Sequence, residues 1–191
     1  MCYYITATLP KGTKIDALMP VFDNYEMAFS PVNNEHVKSQ LRHGELYFRP
    51  TQGYCDCDTV LGSLDISQKH EALVDSKKVK KLRKKGWSEE EINNWVTEKM
   101  QKERAKKQKK DKYWPEFRNQ QATRWINFLR ELLDTELISH LGLLIHWYKS
   151  GLDSEQIEIK KTQRINIESN SEEILMNLKK DVLYEFFTPR S

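Results

Sequence analysis

The chain has 191 residues, of which 38% are hydrophobic and 31% are charged, and its formal net charge is +3. Five Trp, eight Tyr and seven Phe provide large side chains for a core, so the composition excludes disorder along the whole chain. No run of about 18 apolar residues is present, and the amino terminus lacks the basic and apolar regions of a signal peptide. We therefore expect a cytoplasmic protein with no membrane contact.

Basic residues are concentrated in the middle of the chain. Residues 77–112, hereafter the basic segment, contain 15 of the 31 Lys and Arg residues and only six acidic ones, a charge of +9. The other 155 residues carry −6. This distribution favours a polyanionic partner, either nucleic acid or an acidic protein, although it identifies no reaction.

The first part of the chain shows the alternation typical of strands. In residues 3–9 apolar positions alternate with Tyr and Thr, which predicts a half-buried strand. Thr13 is the predicted cap of a helix that continues to about Tyr25, and Pro20 is expected to kink or shorten that helix. Further predicted elements are a short strand, a helical turn and a second alternating strand, at 27–32, 34–41 and 45–51.

The basic segment is predicted to form a helical hairpin. Gly86 suits the position just after a first helix, and Ser88 with Glu91 is a capping box that begins a second helix. The second helix carries one apolar stripe that ends at Met100, and beyond this residue few side chains can be buried. A third, amphipathic helix is predicted from about Pro115 to Asp134.

The last part of the chain completes the fold. Residues 141–148 form a continuous apolar run, typical of a central strand buried on both faces. Residues 157–167 alternate as a long strand, and residues 170–187 are predicted as a final helix. The predicted class is α+β: helices cover a mostly antiparallel sheet of about five strands, with the basic hairpin inserted. The corresponding parts are residues 1–70, 71–113 and 114–191.

Three cysteines form the first candidate site. Their odd number does not suit a disulfide framework, and in a reducing compartment they are free thiols or metal ligands. If strand 45–51 runs antiparallel beside strand 3–9, the thiols converge and, with one histidine, make a structural zinc set. The candidate ligands are Cys2, Cys55 and Cys57, with His43 or His70 as the fourth. Because Cys-x-Cys is tighter than the usual zinc spacing, unrelated free thiols are the simpler interpretation. No cofactor is then expected, and zinc is the alternative.

Cys2 and the neighbouring acidic loop have further interpretations. Removal of Met1 would give Cys2 a free α-amine that could activate its thiol for catalysis. Enzymes that begin Met-Cys usually continue with glycine, whereas Tyr3 and Tyr4 follow here. Around Cys57, the residues Asp56 and Asp58 lack the glycine and distant glutamate of a calcium loop, so we expect a solvated acidic loop.

The basic segment supplies the second candidate site. Contacts between lysine and phosphate attract and orient nucleic acid but do not recognise its sequence. Three glutamates at the start of the second helix would repel DNA where a recognition helix contacts bases in the major groove, so we do not expect sequence-specific binding. An acidic protein, an oligomer mate and a solvated lysine-rich helix are the other interpretations. The candidate contact residues are Lys77, Lys78, Lys80, Lys81, Arg83, Lys84, Lys85, Trp87, Arg104, Lys106, Lys107, Lys109 and Lys110.

No catalytic signature is recognisable. Seven glycines leave little room for a phosphate-binding loop, and His-Glu-x-x-His is missing. His140 and His146 share one face of strand 141–148 and are expected to be core histidines bonded to the backbone. The sequence favours a small non-catalytic binding or regulatory protein that contacts a polyanion or acidic protein through the basic hairpin. Such chains are common among bacterial accessory, defence and phage-encoded proteins. The alternatives are a zinc-binding or thiol-dependent module at the cysteines, and an oligomer scaffold.

Overall fold

The computed structural model describes residues 2–57, 59–61, 73–74, 76–113, 115–169 and 171–189. It describes their side chains except those at 103, 104, 106–113, 115 and 118. The chain divides into two compact units. Residues 1–63 and 119–191 form the first, called the sheet unit, and residues 64–118 form the second, called the helical unit. No helix among the described residues is both long and apolar enough to cross a membrane.

A six-stranded sheet organises the sheet unit. Its strands are β1 (Cys2–Leu9), β2 (Ser30–Pro31), β3 (Leu46–Arg49), β4 (Leu141–Tyr148), β5 (Lys161–Asn166) and β6 (Val182–Phe187). They lie in the order β2-β3-β1-β4-β6-β5, and all neighbours are antiparallel except β5 and β6. The predicted α+β class with a mostly antiparallel sheet is confirmed.

The helices are α1 (Ile15–Asn24), α2 (Glu35–Lys38), α3 (Lys77–Lys84), α4 (Glu89–Tyr113), α5 (Pro115–Asp134) and α6 (Ser171–Met176). An aromatic core joins α1 and α5 to the sheet face that carries Ala7. Phe48 on β3 is paired with Ala7, and its ring lies 5.9 Å from that of Phe29. Phe29 stacks on Phe22 of α1 at 4.0 Å, and Phe128 of α5 lies 5.9 Å from Phe29. Four phenylalanine rings therefore form the core on this face.

The opposite face of β1 is also buried. Thr6 and Thr8 are 0% exposed, so the prediction of a half-buried strand is wrong. The reason is a second, smaller core on this face, to which α2 contributes Val37 and the segment before β5 contributes Ile157. The hydroxyl of Thr6 is accommodated by hydrogen bonds, since it donates to the carbonyl of Leu144 at 3.2 Å. β1 is therefore a central strand.

The carboxyl-terminal segment departs most from the prediction. A single helix over 170–187 is wrong, because α6 ends at Met176 and β6 pairs with both β4 and β5. Asp181 has φ of +63°, a left-handed conformation that prevents a helix from continuing. The aromatic-rich run from Leu183 to Phe187 was the signal for a strand.

Smaller differences affect other ends of elements. α1 begins after Lys14, and the Thr13 hydroxyl donates to the carbonyl of Pro10 instead of capping the helix. Pro20 lies inside α1 without ending it. The long strand predicted over 157–167 is regular only at β5.

The helical unit follows its sequence closely. Gly86 has φ of +82°, and the N–H of Trp87 donates to the carbonyl of Leu82 at 3.2 Å, which closes α3 with a Schellman motif. The predicted capping box at α4 is confirmed, because Ser88 and Glu91 each bond the other's backbone N–H, at 2.8 and 3.2 Å. Among the described residues of this unit, Val79, Ile92, Val96 and Met100 form a buried core.

Candidate metal centre

The first half of β1 pairs with β4 on one edge, and on the edge that faces β3 it pairs with a loop. Strand β3 ends at Arg49, before Pro50, and its pairing with β1 covers only residues 7–9. The loop that carries Cys55 and Cys57 replaces β3 as the hydrogen-bonding neighbour of β1, because the N–H of Asp56 donates to the carbonyl of Tyr3 at 2.9 Å. The Asp56 carboxylate accepts from the N–H of Ile5 at 2.8 Å. Side-chain and backbone groups of the loop therefore satisfy β1 where β3 has ended.

This loop brings the three thiols together. The sulfur atoms of Cys2, Cys55 and Cys57 all lie within 4.8 Å of one another, and each residue is partly buried. The Sγ of Cys57 accepts a hydrogen bond from the N–H of Tyr3 at 3.3 Å, which fixes that thiol beside β1. The convergence expected from antiparallel pairing of the two strands is confirmed.

The thiols differ in their readiness to ionise. The pKa of Cys55 is lowered, chiefly because the N–H of Cys57 donates to its sulfur, with further hydrogen bonds from the other two thiols. Burial raises the pKa of Cys57 to about 12. Cys55 therefore ionises more readily than Cys57, and a metal that binds all three must displace the proton of Cys57.

Asp56 holds the loop in place and is not the solvated residue that the sequence suggested. It is 1% exposed, and its carboxylate also accepts from the Thr51 hydroxyl at 3.2 Å. Burial raises the pKa of Asp56, while its hydrogen bonds and the nearby Arg49 act in the opposite direction. Arg49 lies over the ring of Tyr4 at 4.8 Å and donates to the carbonyl of Gly53. The loop is therefore tied to β3 before Cys55, at Gly53, and to β1 between Cys55 and Cys57, at Asp56.

The structure does not bring His43 to the thiols. His43 is exposed in the turn before β3, and Leu46 at the start of β3 is paired with Leu9. Leu9 lies at the opposite end of β1 from Cys2, roughly 20 Å along the strand. His70 and Asp58 lie outside the described residues.

A second group of potential ligands escaped the sequence analysis. Glu45, His140 and Glu185 place one ligand atom each within 4.8 Å of the others. The Nε2 of His140 lies 2.9 Å from the carboxylate of Glu45, and Arg42 donates to Glu185 at 2.6 Å. The Nε of Arg164 lies 3.9 Å from the same Glu185 oxygen. Because two guanidinium groups already balance two carboxylates, we interpret this group as a buried ion-pair network.

His146 likewise has charged partners. Its Nδ1 lies 2.5 Å from Asp181, and its Nε2 lies 3.8 Å from Glu155. Burial acts to raise the pKa of Asp181, and the hydrogen bond with His146 acts to lower it. The pKa of Asp181 is lowered on balance. His140 and His146 are both 7% exposed, as expected for core histidines. Their partners include carboxylates, whereas the expectation was for backbone groups.

The second candidate site lies on α3. Its basic residues Lys77, Lys78, Lys80, Lys81, Arg83, Lys84 and Lys85 are all exposed. Trp87 is 39% exposed, Arg83 pairs with Glu89 at 2.7 Å, and Lys78 lies 5.5 Å from the ring centre of Trp95. The candidates Arg104, Lys106, Lys107, Lys109 and Lys110 lie on α4, but their side chains fall outside the described part.

Comparison with known proteins identifies neither site. No protein-family model matches the chain, and no curated protein or solved structure was found to be similar. The function must therefore be inferred from the two sites themselves.

Proposed function

We propose that the protein binds zinc through the thiolates of Cys2, Cys55 and Cys57. The observation that carries this proposal is the convergence of three sulfur atoms to within 4.8 Å of one another. Cys2 lies 53 positions before Cys55, and Cys57 follows Cys55 by two positions. Tetrahedral zinc with Zn–S bonds of about 2.3 Å places sulfur atoms about 3.8 Å apart. The thiols therefore need only a small adjustment to bind one ion.

The loop is suited to holding such an ion. Asp56 and Cys57 are both hydrogen-bonded to backbone groups of β1, so two loop residues are fixed before any metal arrives. Groups that orient ligands in this way commonly change metal affinity by about 10- to 100-fold. Three protein ligands leave a fourth position for water, a partner's atom or His70. The zinc then ties the first residue of β1 to the 55–57 loop.

Metal analysis of the purified protein tests this proposal. We expect about one zinc per chain, and an affinity reduced by at least about 100-fold in each of Cys2→Ser, Cys55→Ser and Cys57→Ser. His43→Ala is the matched control and should bind zinc as the wild type does. A folded wild-type protein that binds no zinc in a competition titration with a chromogenic chelator would refute the proposal.

A second candidate function is contact with a polyanion or acidic protein through the basic hairpin. The specific observation in its favour is the set of six exposed lysines on and just after α3. In this function the protein is a non-catalytic binding or regulatory factor, and the zinc has a structural role. Titration of the whole protein with duplex DNA and with poly-L-glutamate at low salt tests it. If neither polyanion binds, the lysines serve only solubility.

A further inference from the structure

The outer face of α3 consists of lysine. Val79 and Leu82 mark the side of this helix that packs in the helical unit. Positions 77, 81 and 84 lie about one turn apart on the opposite side, so Lys77, Lys81 and Lys84 form one exposed row. Lys80 and Lys85 extend the row on either flank.

This row is electrostatically unfavourable in the free protein. Lys77 and Lys81, like Lys80 and Lys84, are four residues apart and repel each other on the helix surface. Among the described side chains, no carboxylate lies within ion-pair distance of these lysines, and the acidic partner in this region, Glu89, pairs with Arg83. A polyanion laid along α3 would remove the repulsion, and each lysine would gain a counter-charge.

The composition of the row favours phosphate over a protein surface. Protein interfaces depend on aromatic or apolar anchors at their centres, and lysine is depleted there. The row offers no such anchor. Trp87 is 39% exposed but lies beyond the end of α3, where its backbone N–H closes the helix, and is not part of the row. Lysine ammonium groups suit phosphate oxygens, which need charge and little directional fit.

We propose that Lys77, Lys81 and Lys84 bind the phosphate backbone of nucleic acid without reading its sequence. This inference rests on the second candidate function and names its partner. Glu89, Glu90 and Glu91 are exposed at the start of α4. They repel phosphate at the helix end that would otherwise enter a groove, so the contact stays on the backbone. DNA and RNA share this chemistry, and separate titrations distinguish them.

Fluorescence anisotropy of the full chain tests the inference with labelled single-stranded DNA, duplex DNA and RNA of equal length. Three phosphate contacts predict that duplex affinity falls roughly 40-fold between about 50 and 200 mM salt. The triple variant K77Q/K81Q/K84Q should bind at least tenfold more weakly at low salt and show a flatter salt dependence. The control K11Q/K161Q/K179Q removes the same charge from exposed positions of the sheet unit and should bind within about twofold of wild type.

Three outcomes overturn the inference. Binding of poly-L-glutamate as tight as that of nucleic acid would show that the row accepts any polyanion. An unchanged affinity in the α3 triple variant would place the contact elsewhere. Equal losses in both triple variants would show an effect of net charge alone. A fourth result, in which the wild-type protein binds poly-L-glutamate but no nucleic acid, also overturns the inference and leaves the second candidate function intact, whereas failure to bind either ends that function too. Circular dichroism of each variant establishes that the helices are retained.

Discussion

In the sheet unit, buried charged groups have hydrogen-bond or ion-pair partners. Asp56 accepts from the N–H of Ile5, and Glu185 pairs with Arg42. In the described part of the helical unit, four residues make the buried core and the basic residues of α3 are exposed. The first unit is therefore held together by dense tertiary packing, and the second by local capping around Gly86 and Ser88. The difference also separates the two candidate functions, since thiols are positioned by tertiary contacts and the lysine row by one helix.

The largest expected effect is loss of the aromatic core of the sheet unit. Phe128→Ala removes a fully buried ring that lies near those of Phe22, Phe29 and Trp125. We expect the free energy of unfolding to fall by about 3–5 kcal/mol, measured by chemical denaturation. A loss below about 1 kcal/mol would show that this core is not tightly packed.

The next effect concerns the loop that carries the cysteines. Asp56→Ala leaves the N–H of Ile5 buried without its acceptor and should cost about 1–3 kcal/mol of stability in metal-free protein. Asp56→Asn keeps an oxygen acceptor and is the matched control, expected to cost less. Equal costs for the two variants would contradict the assignment of Asp56 as a hydrogen-bonding anchor.

Neighbouring threonines on β1 sharpen the comparison within the sheet unit. Thr6→Val breaks two buried hydrogen bonds, to Leu144 and from Tyr47, and should cost about 1–2 kcal/mol. Thr8→Val should be close to neutral, within about 0.5 kcal/mol, because the buried Thr8 hydroxyl has no hydrogen-bond partner among the described residues. If both variants were equally destabilising, burial rather than bonding would control this face.

Local capping should dominate the helical unit. Gly86→Ala forces a side chain into a left-handed conformation and should cost about 1 kcal/mol. Gly86→Asn, which tolerates this conformation better, should cost less. Hydrogen exchange of the α3 and α4 amides measures both. An alanine variant with unchanged protection would contradict the view that the turn holds the hairpin.

Local signals made much of this structure predictable. The Gly86 and Ser88–Glu91 patterns act over a few residues, so the hairpin could be read from the sequence. The convergence of Cys2 with Cys55 and Cys57 followed from one antiparallel pairing. The ion-pair network of Glu45, His140 and Glu185 could not be predicted, because it joins three distant segments.

The carboxyl-terminal error has a physical cause. Apolar residues at 174, 175, 178 and 182 have helical spacing, although tertiary pairing with β4 and β5 converts the end of this run into β6. The spacing of apolar residues alone does not predict that β6 pairs with β4 and β5. The burial of Thr6 and Thr8 was missed for a similar reason, since the cover over this face comes from α2 and the segment before β5.

Zinc K-edge absorption of the zinc-loaded protein tests the central claim most directly, because it counts the sulfur neighbours of the metal. We expect three sulfur atoms at about 2.3 Å and one lighter ligand at about 2.0 Å, falling to two sulfur atoms in Cys55→Ser. A wild-type spectrum with no sulfur shell, or with one unchanged by Cys55→Ser, would show that the three thiols do not form a metal centre.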